Sequence, residues 1–108
     1  MRYEIYRRQL LDAVLSTPGA TVESVRRAVL ERAMGMAGTE DGVPPELTSY
    51  VDTVARHAYR VTDANVRALQ GAGQTDDAIF EVTVAAAVGA AMHRLQRGMA
   101  ALRGEEPD

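Results

Sequence analysis

Residues 71–95, GAGQTDDAIFEVTVAAAVGAAMHRL, decide the fold. Gly71 or Gly73 closes whatever precedes it, because glycine accepts the left-handed conformation that ends helices. Thr75 then offers a side-chain oxygen to cap a new helix, and Asp76 and Asp77 sit against the positive end of its dipole. Beyond them, Val84, Val88, Ala91, Leu95 and Met99 recur at helical spacing and predict a fifth helix running to Leu102. Ala86, Gly89 and Ala90 make a second face, of small residues only. A helix apolar on two sides is buried between neighbours, so this one is expected at the centre.

Working back towards the N-terminus, Thr62 is expected to cap a short fourth helix through Leu69. The third helix opens at Pro44 and Pro45, with Glu46 in its first turn, and Leu47, Val51, Val54, Ala58 and Val61 line one face. Thr21 is read as the N-cap of the second helix, which buries Val22, Val25, Val29, Ala33 and Met36 and ends near Ala37. The first helix spans 3–16, with Tyr3, Tyr6, Leu10, Ala13 and Val14 on its apolar side, and Pro18 and Gly19 turn the chain after it. Residues 38–45 are a surface connection and 103–108 an acidic tail. No strand pattern interrupts these helices. The expectation is a single all-α domain over 1–108, with a helical hairpin and loop in 1–43 ahead of the helices in 44–102.

Composition narrows the function. The chain has 108 residues, 46% of them hydrophobic, no cysteine and a net charge of -3. Without thiols there are no disulfides, zinc–thiolate sites or cysteine nucleophiles. Nucleic-acid binders present basic stripes, whereas Arg7, Arg8, Arg26 and Arg27 are interleaved with Glu4, Asp12, Glu23 and Glu31 at helical spacings and read as solvated, paired faces. Neither nucleic acid nor membrane is expected as a partner. The N-terminal residues lack the apolar run of a signal peptide, and the cytoplasm is the expected compartment. Few aromatic residues and many alanines and valines favour closely approaching helices.

The helix order, the GAGQTDDAIFEV cap and the long AIFEVTVAAAVGAAMHRL helix together resemble the alkyl hydroperoxidase D and carboxymuconolactone decarboxylase family, over about residues 44–102. The resemblance implies a five-helix AhpD-like orthogonal bundle assembled as trimers or trimer-based oligomers. It also implies a Cys-x-x-Cys-x-x-x-His motif with a carboxylate upstream. Those cysteines fall on Ala58 and Val61 and the histidine on Asn65, while Glu46 lies where the upstream carboxylate would be. The redox route needs a thiolate and a resolving thiol, and alanine and valine supply neither. A cysteine-less, non-redox oligomeric binding or structural subunit is therefore the expectation.

The alternative is acid–base chemistry on a small carboxylate-bearing ligand in the former peroxidase pocket. His57, with Glu46 and Tyr59, would then be catalytic, because an imidazole titrates near neutrality. Arg60, Asp63 and Asn65 would bind the ligand near the N-terminus of the fourth helix. Glu46 and His57 stand about three turns apart, roughly 16 Å along one helix, so a dyad would need a tertiary partner. His93 is read as a core or interface histidine with no second metal ligand one turn away. No cofactor or metal is expected.

Overall fold

The computed structural model describes residues 2–35 and 42–104, with side chains from Glu4 onward. Met36 and Ala37, residues 38–41 of the 38–45 connection, and the acidic tail beyond Gly104 lie outside the described residues. The described chain folds into five α-helices: α1 (Arg2–Ser16), α2 (Glu23–Ala33), α3 (Pro45–His57), α4 (Asp63–Gly71) and α5 (Asp76–Leu102). A single 3-10 turn, Ala58–Arg60, separates α3 from α4. Among the described residues there is no strand. The all-α, five-helix class with a long C-terminal helix is what the sequence predicts.

The helix boundaries follow local chemistry. Pro45 occupies the first turn of α3, where a missing N–H costs nothing. Thr62 caps α4 in a reciprocal capping box: its hydroxyl accepts from the Asn65 N–H at 3.4 Å, while the Asn65 side-chain oxygen accepts from the Thr62 N–H at 2.8 Å. Gly73 ends α4 at φ +99°, and Thr75 caps α5 by accepting from the Ala78 N–H at 3.1 Å.

The core forms where α2 and α3 pack on the N-terminal two-thirds of α5. Val29, Leu47, Val51, Val82, Ala85 and Ala86 are buried there. Burial of this kind is worth roughly 1.5–3 kcal/mol for each larger aliphatic side chain. The small-residue face of α5 serves α2: a Cβ on Gly89 would meet the Leu30 carbonyl and lie 2.8 Å from the Ala33 Cβ. The neighbour of this face is therefore within the chain. Two polar ties fix the layers. Arg32 donates Nε and Nη2 to the two carboxylate oxygens of Asp52 at 2.7 and 2.8 Å, joining α2 to α3. Tyr50 and Thr83 join their hydroxyls at 2.6 Å across α3 and α5. Because the Thr83 hydroxyl donates to the Ile79 carbonyl, Tyr50 is the donor.

Several expectations are corrected. Helix α2 starts at Glu23 behind an uncapped Val22, which is exposed, and not at Thr21. The Thr21 hydroxyl is instead bonded to Glu81. On α1, the core side carries Leu11, Val14 and Leu15, while Tyr6, Leu10 and Ala13 face outward. Among the described residues α1 is held by α2 and α5, so it buries only a narrow strip. Ala58 is exposed because α3 has ended at His57. His93 is exposed rather than in the core, and Arg26 is 4% exposed rather than solvated.

Helix α5 is long and apolar enough to cross a membrane, and 44% of its most apolar window is buried inside the fold. Length and apolarity of this order are also what a central core helix requires.

Candidate functional site

The residues singled out by the sequence lie on the surface around the α3–α4 junction. His57, the last residue of α3, meets the Tyr59 ring edge-on, with centroids 6.0 Å apart and planes at 86°. The Arg60 guanidinium carbon stands 5.6 Å from the centre of the same ring, a cation–π geometry worth about 0.5–1 kcal/mol at an exposed site. Tyr59 is 78% exposed, so this cluster projects into solvent and encloses nothing. Asp63 is exposed in the first turn of α4, where its charge suits the helix dipole.

Glu46 and Asn65 are brought together, away from that cluster. They line a cleft of about 130 Å³ with Ser49, Tyr50, Thr53 and Leu69. Ligand pockets run to roughly 300–1,000 Å³, so the cleft holds a few waters at most. The Glu46 carboxylate accepts from Gln74 Nε2 at 3.4 Å, and the Asn65 side chain is committed to capping Thr62. His57 opens onto a separate groove on the other side of Ser49 and Thr53, shared with Asp52 and Arg56. The six expected residues thus divide into a surface stack of His57, Tyr59 and Arg60, a cleft pair of Glu46 and Asn65, and Asp63 in the first turn of α4.

Buried charge is concentrated elsewhere, at a pair the sequence reading missed. Glu81, on α5, reaches the turn between α1 and α2. Its carboxylate accepts from the Ala20 N–H at 2.7 Å, the Thr21 N–H at 2.8 Å and the Thr21 hydroxyl at 2.6 Å. Successive backbone N–H groups of this kind form an anion-holding concavity. Gly19 allows the approach, because a Cβ there would collide with the carboxylate. Arg26 Nη1 stands 3.5 Å from the carboxylate and donates to the Thr21 carbonyl at 2.8 Å, while Nη2 donates to the Leu15 carbonyl at 2.9 Å. The Thr21 hydroxyl, the two backbone N–H groups and the Arg26 charge hold the Glu81 carboxyl at about 2, below its ordinary 4.5, against the opposing effect of burial. One signal for this was present: Glu81 is the only charged residue between Ala78 and Met92.

The pair forms one end of an apolar groove of about 420 Å³ between α1 and α5, with Leu10, Ala13 and Val14 on one wall and Phe80 and Val84 on the other. Thr17 and Gly19 at the end of α1 lie beside Phe80 and Glu81 near the start of α5. Leu11 and Leu15 pack with Val88 and Met92, so α1 runs antiparallel to α5. The salt-bridged floor is a fixed structural element. Arg26 and Glu81 spend their bonds on the backbone of the turn, which suits fastening α1 rather than proton transfer.

Compared with known proteins, the chain matches no family model, no curated protein and no solved structure. Functional inference therefore rests on the geometry.

Proposed function

We propose that this protein is a non-catalytic helical subunit that assembles with copies of itself through the outer face of α1 and α5. The carrying observation is a largely exposed apolar stripe, with Asp77 and Arg94 at its margins. Along α5, Phe80, Val84, Ala87, Ala91, Leu95, Gly98 and Leu102 share one side at helical spacing, with Phe80 68% and Leu102 82% exposed. Tyr6, 61% exposed, and Leu10, 42% exposed, continue the facing wall on α1. Side chains of this size and exposure present several hundred Å², approaching the roughly 800 Å² that each partner gives to a standard interface. Monomers rarely leave larger apolar patches uncovered. The second copy is the favoured occupant because an apolar centre can oppose itself without setting like charges together.

The likeness of residues 44–102 to the carboxymuconolactone decarboxylase-like family supports the same reading and suggests a trimer or trimer-based assembly. The cysteine-less chain would keep such a scaffold in the cytoplasm without its redox chemistry. The acid–base alternative draws no support from the scattered positions of His57, Glu46 and Tyr59.

Sedimentation equilibrium at micromolar concentration tests the proposal. The wild type is expected to run heavier than the 11.7 kDa chain. Phe80→Glu with Leu95→Glu should return it to a monomer with unchanged helical content. A wild-type monomer would overturn the reading.

A further inference from the structure

A second concavity lies on a different side of α5, at the C-terminal ends of α2 and α3. It measures about 310 Å³ and carries Arg56, His93 and Arg94 on its rim, over a floor that includes Ala33, Ala55 and Ala90. Among the described residues no carboxylate lines it. Its two guanidinium groups run against the whole chain, whose net charge is -3. The nearest carboxylate on α3, one turn back at Asp52, is already bound by Nε and Nη2 of Arg32.

Helix C-termini present carbonyl oxygens that repel anions. At the end of α3 that repulsion is reduced within the fold. Arg94 Nη2 donates to the Ala55 carbonyl at 3.2 Å, so one guanidinium N–H neutralises the end of α3 and fixes Arg94 at the rim. Its other donors, with those of Arg56 and the imidazole of His93, are available to the cavity. Guanidinium groups match the oxygens of a phosphate with paired, charge-assisted bonds. The alanine floor adds no polar partner, so it suits an apolar organic group.

From this geometry we infer that the cavity binds a small organic phosphate, a phosphate monoester whose dianionic head sits among Arg56, Arg94 and His93 and whose compact apolar part rests on the alanines. A phosphate dianion balances the two guanidinium charges, which a monocarboxylate does not. The volume exceeds that of the bare head, which is why a monoester fits better than inorganic phosphate. The site lies apart from the α1–α5 stripe and does not depend on self-assembly.

The test is an amide-resolved NMR titration of the full chain with phenyl phosphate, with inorganic phosphate and benzoate as comparators. Phenyl phosphate is expected to give saturable shifts at Ala33, Gly35, Ala55 and Ala90, and to bind more tightly than either comparator. Arg56→Gln, which removes no intramolecular hydrogen bond seen among the described residues, should weaken it about tenfold, the scale of one charge-assisted bond. Arg7→Gln, an equal change of charge on α1, should leave it unaltered. Arg94→Gln should also weaken binding, but it disturbs the end of α3, so Arg56→Gln carries the decision. Unsaturated shifts in millimolar phenyl phosphate, undiminished binding by Arg56→Gln, or equal affinity for benzoate would each overturn the inference.

Discussion

The turn after α1 and the turn after α3 invite comparison. Both follow a helix, both hold a threonine suited to capping, and both carry an arginine within a few residues. At Thr62 the cap is local: hydroxyl, N–H and the Asn65 side chain satisfy one another within a single helical turn. At Thr21 the hydroxyl serves a carboxylate sixty residues away in the chain. Arg60 lies on an exposed ring, whereas Arg26 is buried against two backbone carbonyls and Glu81. The difference teaches that a polar motif gains strong electrostatics from what packs over it. The α3–α4 junction is open, and its groups behave as surface groups. The α1–α2 turn is covered by α5, and there the same residue types lock two helices to a third.

The largest expected effect concerns what lies over α5. Gly89→Leu places a side chain against the Leu30 backbone and Ala33, neither of which can swing aside. A loss of about 3 kcal/mol is expected, at the upper end for overpacking, read as a lower urea midpoint at any protein concentration. A variant that stays folded and merely dissociates would show that α2 is not the neighbour of this face.

The covered turn itself is sharpened by Glu81→Gln. An amide keeps one acceptor oxygen but turns its NH2 towards N–H donors, so stability at neutral pH should fall by about 2 kcal/mol. The pH dependence carries the clearer signature. Glu81 has a folded value of about 2 against an ordinary 4.5. Its contribution is therefore complete above 4.5 and lost as pH falls through 2. The carboxylate keeps some contact with solvent, which screens the effect to the order of 1–2 kcal/mol. Urea midpoints measured from pH 5 downward, about the window set by these values, should fall more steeply for the wild type than for the variant. Parallel curves would remove Glu81 from the account of acid stability.

The open junction should respond less. Thr62→Ala removes the capping box and is expected to cost about 1 kcal/mol, measurable by thermal unfolding. His57→Ala leaves an exposed edge contact and should stay within about 0.5 kcal/mol of wild type. A loss above 1 kcal/mol at His57 would mean that the two turns differ less than their burial indicates.

Residue patterns within a few turns of helix were legible without coordinates. The caps at Thr62 and Thr75, the proline start of α3, the glycine stop at Gly73 and the end of α5 at Leu102 all depend on neighbours no more than four or five residues away, and the sequence determines them. The buried face of α3 and the small-residue face of α5 follow from the same periodicity, whereas the face of Val84, Val88, Ala91, Leu95 and Met99, expected to be buried, is half-buried to exposed. Tertiary structure alone decided the rest. Tyr6 and Leu10 fit the apolar side of an isolated α1 as well as Leu11 and Leu15 do, and only the position of α5 selects the second pair. Arg26 and Glu81 look like ordinary charged helix residues until α5 crosses the α1–α2 turn. Glu46 and His57 share a helix, yet the break at Ala58 sends their surroundings to opposite sides of Ser49 and Thr53. Local hydrogen bonding is encoded by adjacent residues, whereas burial and ion pairing depend on which distant segment arrives, and that is set by the packing of the whole bundle.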